Sequence, residues 1–189
     1  MLESTIPSFF KDHFLVATPR LQDGLFGHSI AYLCEHDENG AMGIVVNRPL
    51  DLKLAEMLDH LELDTALIGD EPVMAGGPVS IERGFVLHRD DGRKWDSSLK
   101  LRPGMQLTSS VDIMQAIARN EGPADRVVLL GYSGWGPGQL EEEIQDNAWL
   151  TLPADDPILF DIPHEKRVDA ALDKLGISFA QLSSIAGHA

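Results

Sequence analysis

Val127-Val128-Leu129-Leu130 runs into Gly131-Tyr132-Ser133-Gly134-Trp135-Gly136-Pro137-Gly138 and on into Gln139-Leu140-Glu141-Glu142-Glu143-Ile144. The apolar run reads as a buried strand. Glycine at 131, 134, 136 and 138 permits positive φ and close backbone approach, so the middle reads as a turn. Pro137 suits the first helical position, where its missing N–H leaves nothing unpaired. Leu140, Ile144 and Ala148 recur at helical spacing, and Glu141, Glu142 and Glu143 fall where the positive end of a helix dipole favours them. The stretch predicts strand, glycine turn, helix.

Three catalytic layouts compete for it, and each breaks at a named position. A nucleophile elbow needs Gly-x-Ser-x-Gly; Gly131 and Ser133 fit, but Trp135 stands at the closing position. A dinucleotide loop needs Gly-x-Gly-x-x-Gly; Gly134 and Gly136 fit, but Gln139 replaces the third glycine. A phosphate loop needs a terminal Gly-Lys-Ser/Thr, and the stretch has no lysine. The three glutamates would also repel a phosphate at that helix end. The bland alternative is a structural turn that lets Trp135 pack across the sheet end.

Outward from this stretch, Phe14 to Thr18 reads as a strand ended by Pro19. His28 to Glu35 and Ala41 to Val46 read as a hairpin turned at Asn39-Gly40. Leu54, Met57, Leu58 and Leu61 mark an amphipathic helix capped near Asp51. Val73 to Ala75 and Gly84 to His88 are further short strands. Ser109-Ser110 precede a helix carrying Val111, Met114, Ile117 and Ala118. Trp149 to Leu152 and Ile158 to Phe160 read as extended. Pro163 opens a helix through Val168, Ala171, Leu172 and Leu175, ended by Gly176. Ser178 begins a last one through Phe179, Leu182 and Ile185.

Phe14-Leu15-Val16-Ala17-Thr18-Pro19, Glu35-His36 with Gly40-Ala41-Met42-Gly43, and Asn47-Arg48-Pro49 occur in that order. Gly76-Gly77-Pro78-Val79, Gly84-Phe85-Val86-Leu87-His88, the tryptophan–glycine stretch and Asp146-Asn147-Ala148-Trp149-Leu150 follow them. The ordered set closely resembles the AlgH/YqgE family of small bacterial proteins, from about Phe14 to the C-terminus. The resemblance implies an α/β, α+β-like sandwich. It implies one domain over residues 1–189, with a twisted, partly bifurcated mixed sheet flanked by helices. It implies no settled activity. Members often carry the label of transcriptional regulator, which reflects regulatory effects rather than a DNA-binding motif.

The 189 residues carry 15 Lys and Arg against 30 Asp and Glu, a formal net charge of −15. A nucleic-acid binder normally shows the reverse balance. Cations gather from Arg83 to Arg102 (Arg83, Arg89, Arg93, Lys94, Lys100 and Arg102), but Glu82, Asp90, Asp91 and Asp96 interrupt them. This reads as a solvated hairpin and loop rather than a phosphate-binding stripe. No run reaches the length of a membrane span, and Met1 to His13 is not a signal peptide, so cytoplasmic residence is expected. Residues 1–12 read as a loosely held lead. The single cysteine, Cys34, reads as buried in a strand.

The seven histidines show no metal-ligand spacing, and no metal or cofactor is expected. His36, beside Glu35, Asp37 and Glu38, also reads as part of a solvated hairpin tip. His88 could serve as a base for Ser133, or meet Asn47, if the fold brought them together. The favoured site is a shallow strand-end cleft rimmed by three turns. Its residues would be Asn47, Arg48 and Pro49, then Gly76, Gly77 and Pro78, then Tyr132, Ser133 and Trp135. Arg48 would supply charge, Asn47 hydrogen bonds, and Tyr132 and Trp135 apolar anchors. These features favour a non-enzymatic regulator acting through a protein partner. A hydrolase or transferase at the strand ends and a small-ligand sensor remain open alternatives.

Overall fold

The computed structural model describes residues 9–21 and 24–186. Residues 1–8 of the expected lead lie outside them. Strand β1 (His13–Ala17), strand β2 (Ile30–Asp37) and strand β3 (Gly40–Val45) form an antiparallel meander. β1 and most of β2 are buried on both faces, which is why they read as continuous rather than alternating apolar runs. Strand β4 (Pro49–Lys53) then runs straight into helix α1 (Leu54–His60). The expected cap at Asp51 is therefore corrected. Pro49 and Lys53 pair with Met74 and Pro72 of strand β5 (Pro72–Ala75), so sheet pairing takes the segment that would have formed the first turn.

Strand β6 (Val79–Arg89) is longer than its apolar part. Strand β7 (Ser98–Arg102) and strand β8 (Met105–Thr108) make a hairpin through the cationic stretch. Helix α2 (Val111–Ala118) follows Ser109-Ser110. Strand β9 (Arg126–Trp135) corrects the reading of the glycine stretch. The strand does not stop at Leu130 but kinks at Gly131, φ +74°, and continues to Trp135. Helix α3 (Gln139–Gln145) starts after a left-handed Gly138, two residues past Pro137. The Gln139 side chain accepts the Gly136 N–H at 3.0 Å, which fixes that start.

Strand β10 (Trp149–Pro153) pairs with β1. Ile158 to Phe160, expected as extended, instead lies in a π-helical turn over Pro157–Asp161. The Asp155 carboxylate accepts the Ile158 N–H at 3.0 Å and so favours a turn over a strand. A 3-10 turn (His164–Lys166) leads into helix α4 (Arg167–Lys174). In helix α5 (Phe179–Ala186) Ser178 and Gln181 cap each other reciprocally.

The main sheet runs β10-β1-β2-β3-β9-β6-β8-β7, antiparallel throughout. β9 is where it forks. One edge of β9 pairs with β3 through residues 133–135 and with β5, in parallel, through residues 129–130. The other edge pairs with β6. Phe14, Tyr32 and Ile44 share one core with Leu87, Leu101, Met105 and Leu107, so the sheet curls into a half-barrel whose two sides meet. The π-helical turn and α4 pack into the same core. α3 covers the convex face of β1–β3, and α1 and α2 cover that of β5, β6 and β9. The architecture is the mixed α/β layer that was expected, with strands more dominant than a sandwich implies. No helix of the described residues is long and apolar enough to cross a membrane.

Candidate functional site

The fork draws two of the three expected turns together. The Gly76 N–H donates to the Leu130 carbonyl at 2.8 Å, and the Gly76 carbonyl accepts Val45 N–H at 2.9 Å. The Ser133 hydroxyl donates to the same carbonyl at 3.1 Å. A β-carbon at Gly77 would lie 2.1 Å from the Tyr132 carbonyl carbon. What forms is a backbone splice between strands, with Gly76, Gly77 and Ser133 buried and Pro78 exposed.

The other rim residues hold backbone. Asn47 accepts the Ile30 N–H at 3.0 Å and donates to the His28 carbonyl at 3.0 Å. The Arg48 guanidinium donates to the Gly27 carbonyl, while Pro49 starts β4 exposed. Trp135 lies in the convex-side cluster, edge-on to Trp149 at 6.1 Å. Both indole N–H groups donate to one oxygen of Glu143 at 2.8 Å each. Phe26 packs edge-on to Trp149 with centroids 5.9 Å apart, and the Arg48 guanidinium also reaches the Gly24 carbonyl at the start of the same 3-10 turn (Gly24–Phe26). Tyr132 alone of the nine faces a groove on the concave side.

The nucleophile and base candidates are spent in the same way. Ser133 is 1% exposed. His88 pairs with Arg126, seven residues along β9 from Ser133, which puts them roughly 20 Å apart. His88 Nδ1–H donates to the Arg89 carbonyl at 2.8 Å, so Nε2 accepts from Thr108 Oγ1 at 2.7 Å. Burial holds its pKa below the usual histidine value. Burial pushes the Cys34 thiol well above the ordinary thiol range, and its side chain is inaccessible. His36 is buried rather than at a solvated tip. Its Nδ1 accepts the Phe10 N–H at 2.9 Å, and its Nε2–H donates to Glu141. No group of three or more metal-ligating side chains occurs among the described residues.

Two of the grooves on the surface lie on either side of a bulge in β6. Val79 pairs with Tyr132 and Gly84 with Leu130, so residues 80–83 stand opposite Gly131 alone. On the convex side, α1 and α2 enclose about 240 Å³ lined by Leu52, Met57, Leu61, Val111, Met114 and Leu130. Leu61 and Val111 are 42% and 54% exposed at its lips. On the concave side a groove of about 480 Å³ runs between β2–β3 and β6–β8–β7. Phe85 and Tyr132 pack edge to face there, with centroids 6.1 Å apart.

Nothing in the sequence marks the lips of the first groove. Val111 and Leu61 fit a helical stripe and were expected inside. They lie in the first turn of α2 and just past the end of α1, where a stripe residue has no neighbouring element to cover it. Arg83, Phe85 and Ser109 line the second groove together, whereas in the sequence they read separately as part of a solvated cationic stretch, a short strand and a helix start. The available signal was a pair of serine doublets, Ser97-Ser98 and Ser109-Ser110, bracketing a basic hairpin.

Against known proteins, the AlgH-like family model matches residues 14–180. This chain belongs to the AlgH-like family. Among relatives, a UPF0301 protein of Thioalkalivibrio sulfidiphilus is 52% identical over 186 residues, covering 98% of this chain and 100% of its own. One from Dechloromonas aromatica is 51% identical over 180 residues, covering 94% and 96%. The solution structure of the AlgH protein from Pseudomonas aeruginosa superposes with a TM-score of 0.80 at 44% identity, over 96% of this chain and 97% of that one. A crystal structure of a Corynebacterium diphtheriae protein shares the fold, with a TM-score of 0.67 at 20% identity over 84% and 83%. The AlgH-like match thus spans both grooves and the fork between them.

Proposed function

We propose that this AlgH-like chain is a non-enzymatic cytoplasmic protein that acts on regulation by binding a protein partner. The observation that carries the reading is the α1–α2 groove. Two large apolar side chains, Leu61 and Val111, stand exposed at its lips, and two methionines, Met57 and Met114, lie within it. Exposed apolar side chains gathered around a concavity favour association, and methionine adapts its shape to the segment it meets. A groove between two helices suits the apolar face of an amphipathic helix. Glu82 in its lining, with the exposed Glu56, Asp59 and Glu62 on and just after α1, favours a partner with basic flanks. The internal engagement of Ser133, His88 and Cys34 further supports binding over catalysis.

The test is capture from lysate with and without nuclease, by the wild-type chain and by a Leu61→Asp/Val111→Asp variant. The captured polypeptide is then rebound in purified form. We expect a nuclease-resistant partner whose rebinding is at least about tenfold weaker with the variant. Equal capture by the variant, or capture lost on nuclease treatment, would overturn the reading.

A further inference from the structure

The structure assigns a second site, in the concave groove, for a small aromatic monocarboxylate. The anchor of this site is Arg83. Arg89, Arg93 and Arg102 in the same basic stretch are each paired with an aspartate. Arg83 has no carboxylate partner among the described residues. The β6 bulge instead suspends its guanidinium 5.1 Å from the centroid of the Phe85 ring, where it donates to Ser109 Oγ at 3.2 Å. An exposed cation held over an aromatic face, in a protein of net charge −15, is a local anion attractor.

The groove around it has the composition of a ligand site. Its volume of about 480 Å³ suits a small organic molecule. Phe85, Tyr132, Leu99, Leu107 and Met42 supply an apolar lining that a flat ring would cover. Ser97 and Ser109 stand within 3.3 Å of each other, and Ser109 already accepts from Arg83. Their hydroxyls can turn as donors to the second oxygen of a carboxylate. The Tyr132 hydroxyl makes no hydrogen bond to a described residue and is free to contact a ligand. Glu35 lines the groove from β2. One guanidinium offsets one negative charge, and Glu35 opposes a second, so a monocarboxylate fits better than a phosphate dianion.

The experiment is an amide NMR titration of the full chain with 3-phenylpropionate, its neutral amide, and phenyl phosphate. It is repeated with Arg83→Gln. Arg83 is exposed on the bulge, and an unchanged unfolding midpoint confirms that the variant folds. We expect 3-phenylpropionate to shift the resonances of the bulge, Ser109 and Tyr132. We expect affinity to fall about tenfold or more for the amide, for the phosphate and for the variant. The absence of shifts in this groove, equal affinity for acid and amide, tighter binding of the phosphate, or undiminished binding by Arg83→Gln would each overturn the assignment. The wild-type comparison of acid and amide decides the matter even if the variant misfolds.

Discussion

His88 shows how one residue can resemble a catalyst and serve the scaffold. Its two ring nitrogens connect the Arg89 carbonyl to a hydroxyl chain through Thr108 to Ser98, with a 2.6 Å link between the two hydroxyls. The ring is buried and neutral, and desolvation is the main reason its pKa is low. The unfolded chain takes up a proton at His88 below about pH 6.5, while the native chain resists it. The stability contributed by neutral His88 is therefore present above that pH and is lost as pH falls toward the depressed native value. His88→Gln is expected to flatten the stability profile between about pH 7 and 5 relative to wild type. Urea unfolding midpoints across that range measure it, and parallel profiles would refute it. Arg167 makes the complementary case of a buried cation. Burial lowers its pKa to about 10, and its guanidinium donates to the carbonyls of Val46, Leu159 and Ile162, tying α4 and the π-helical turn to the end of β3. Neither role could be read from the chain, because carbonyl partners leave no pattern of residue types.

At the level of elements, Gly131 and Gly138 share a φ of +74° but sit in different surroundings. A β-carbon at Gly131 would lie 2.5 Å from the Gly77 carbonyl oxygen, whereas one at Gly138 would meet nothing within 4 Å. Gly138→Ala should cost about 1–2 kcal/mol, the left-handed backbone term alone. Gly131→Ala carries that term and must also push the splice apart, so its loss of stability should be clearly larger. Chemical denaturation of the two variants makes the comparison, and equal losses would mean that the splice yields freely. The same pair explains what the sequence hid. Alternating glycines are compatible with a turn and with a strand that another backbone crosses closely, and only the partner at Gly76-Gly77 decides between them. The β2–β3 hairpin was legible because Asn39-Gly40 carries its own turn chemistry. The cationic stretch read as a solvated hairpin, but its strands were not legible, because β7 is a half-polar edge strand and β8 is only four residues long, so neither carries an apolar run.

Across the whole molecule, the half-barrel is closed by charge as well as by its core. Asp156 binds Arg102 and, at 2.8 Å, Arg89; Arg102 also reaches Asp12, which accepts from the Tyr32 hydroxyl at 2.6 Å. The network ties β6 and β7 to the start of β1 and to the π-helical turn. Because its members are partly exposed, Asp156→Asn should cost only about 1–2 kcal/mol at low salt. The difference from wild type should shrink at high salt, as thermal melts at two ionic strengths would record; a salt-independent gap would assign the loss to packing instead. The branched architecture itself was implied by the family resemblance and not by periodicity, since a fork is a property of partners far apart in the chain.

The fork also sets an order of events during synthesis. Before β9 emerges, the chain can assemble only three separate strand sets: β1–β2–β3, β4–β5 and β8 with its neighbours β6 and β7. β9 is the strand that each of them pairs with. A chain ending before about residue 135 therefore carries three sheet edges that nothing yet joins by backbone pairing, and closing the sheet must wait for that one late strand to claim all three.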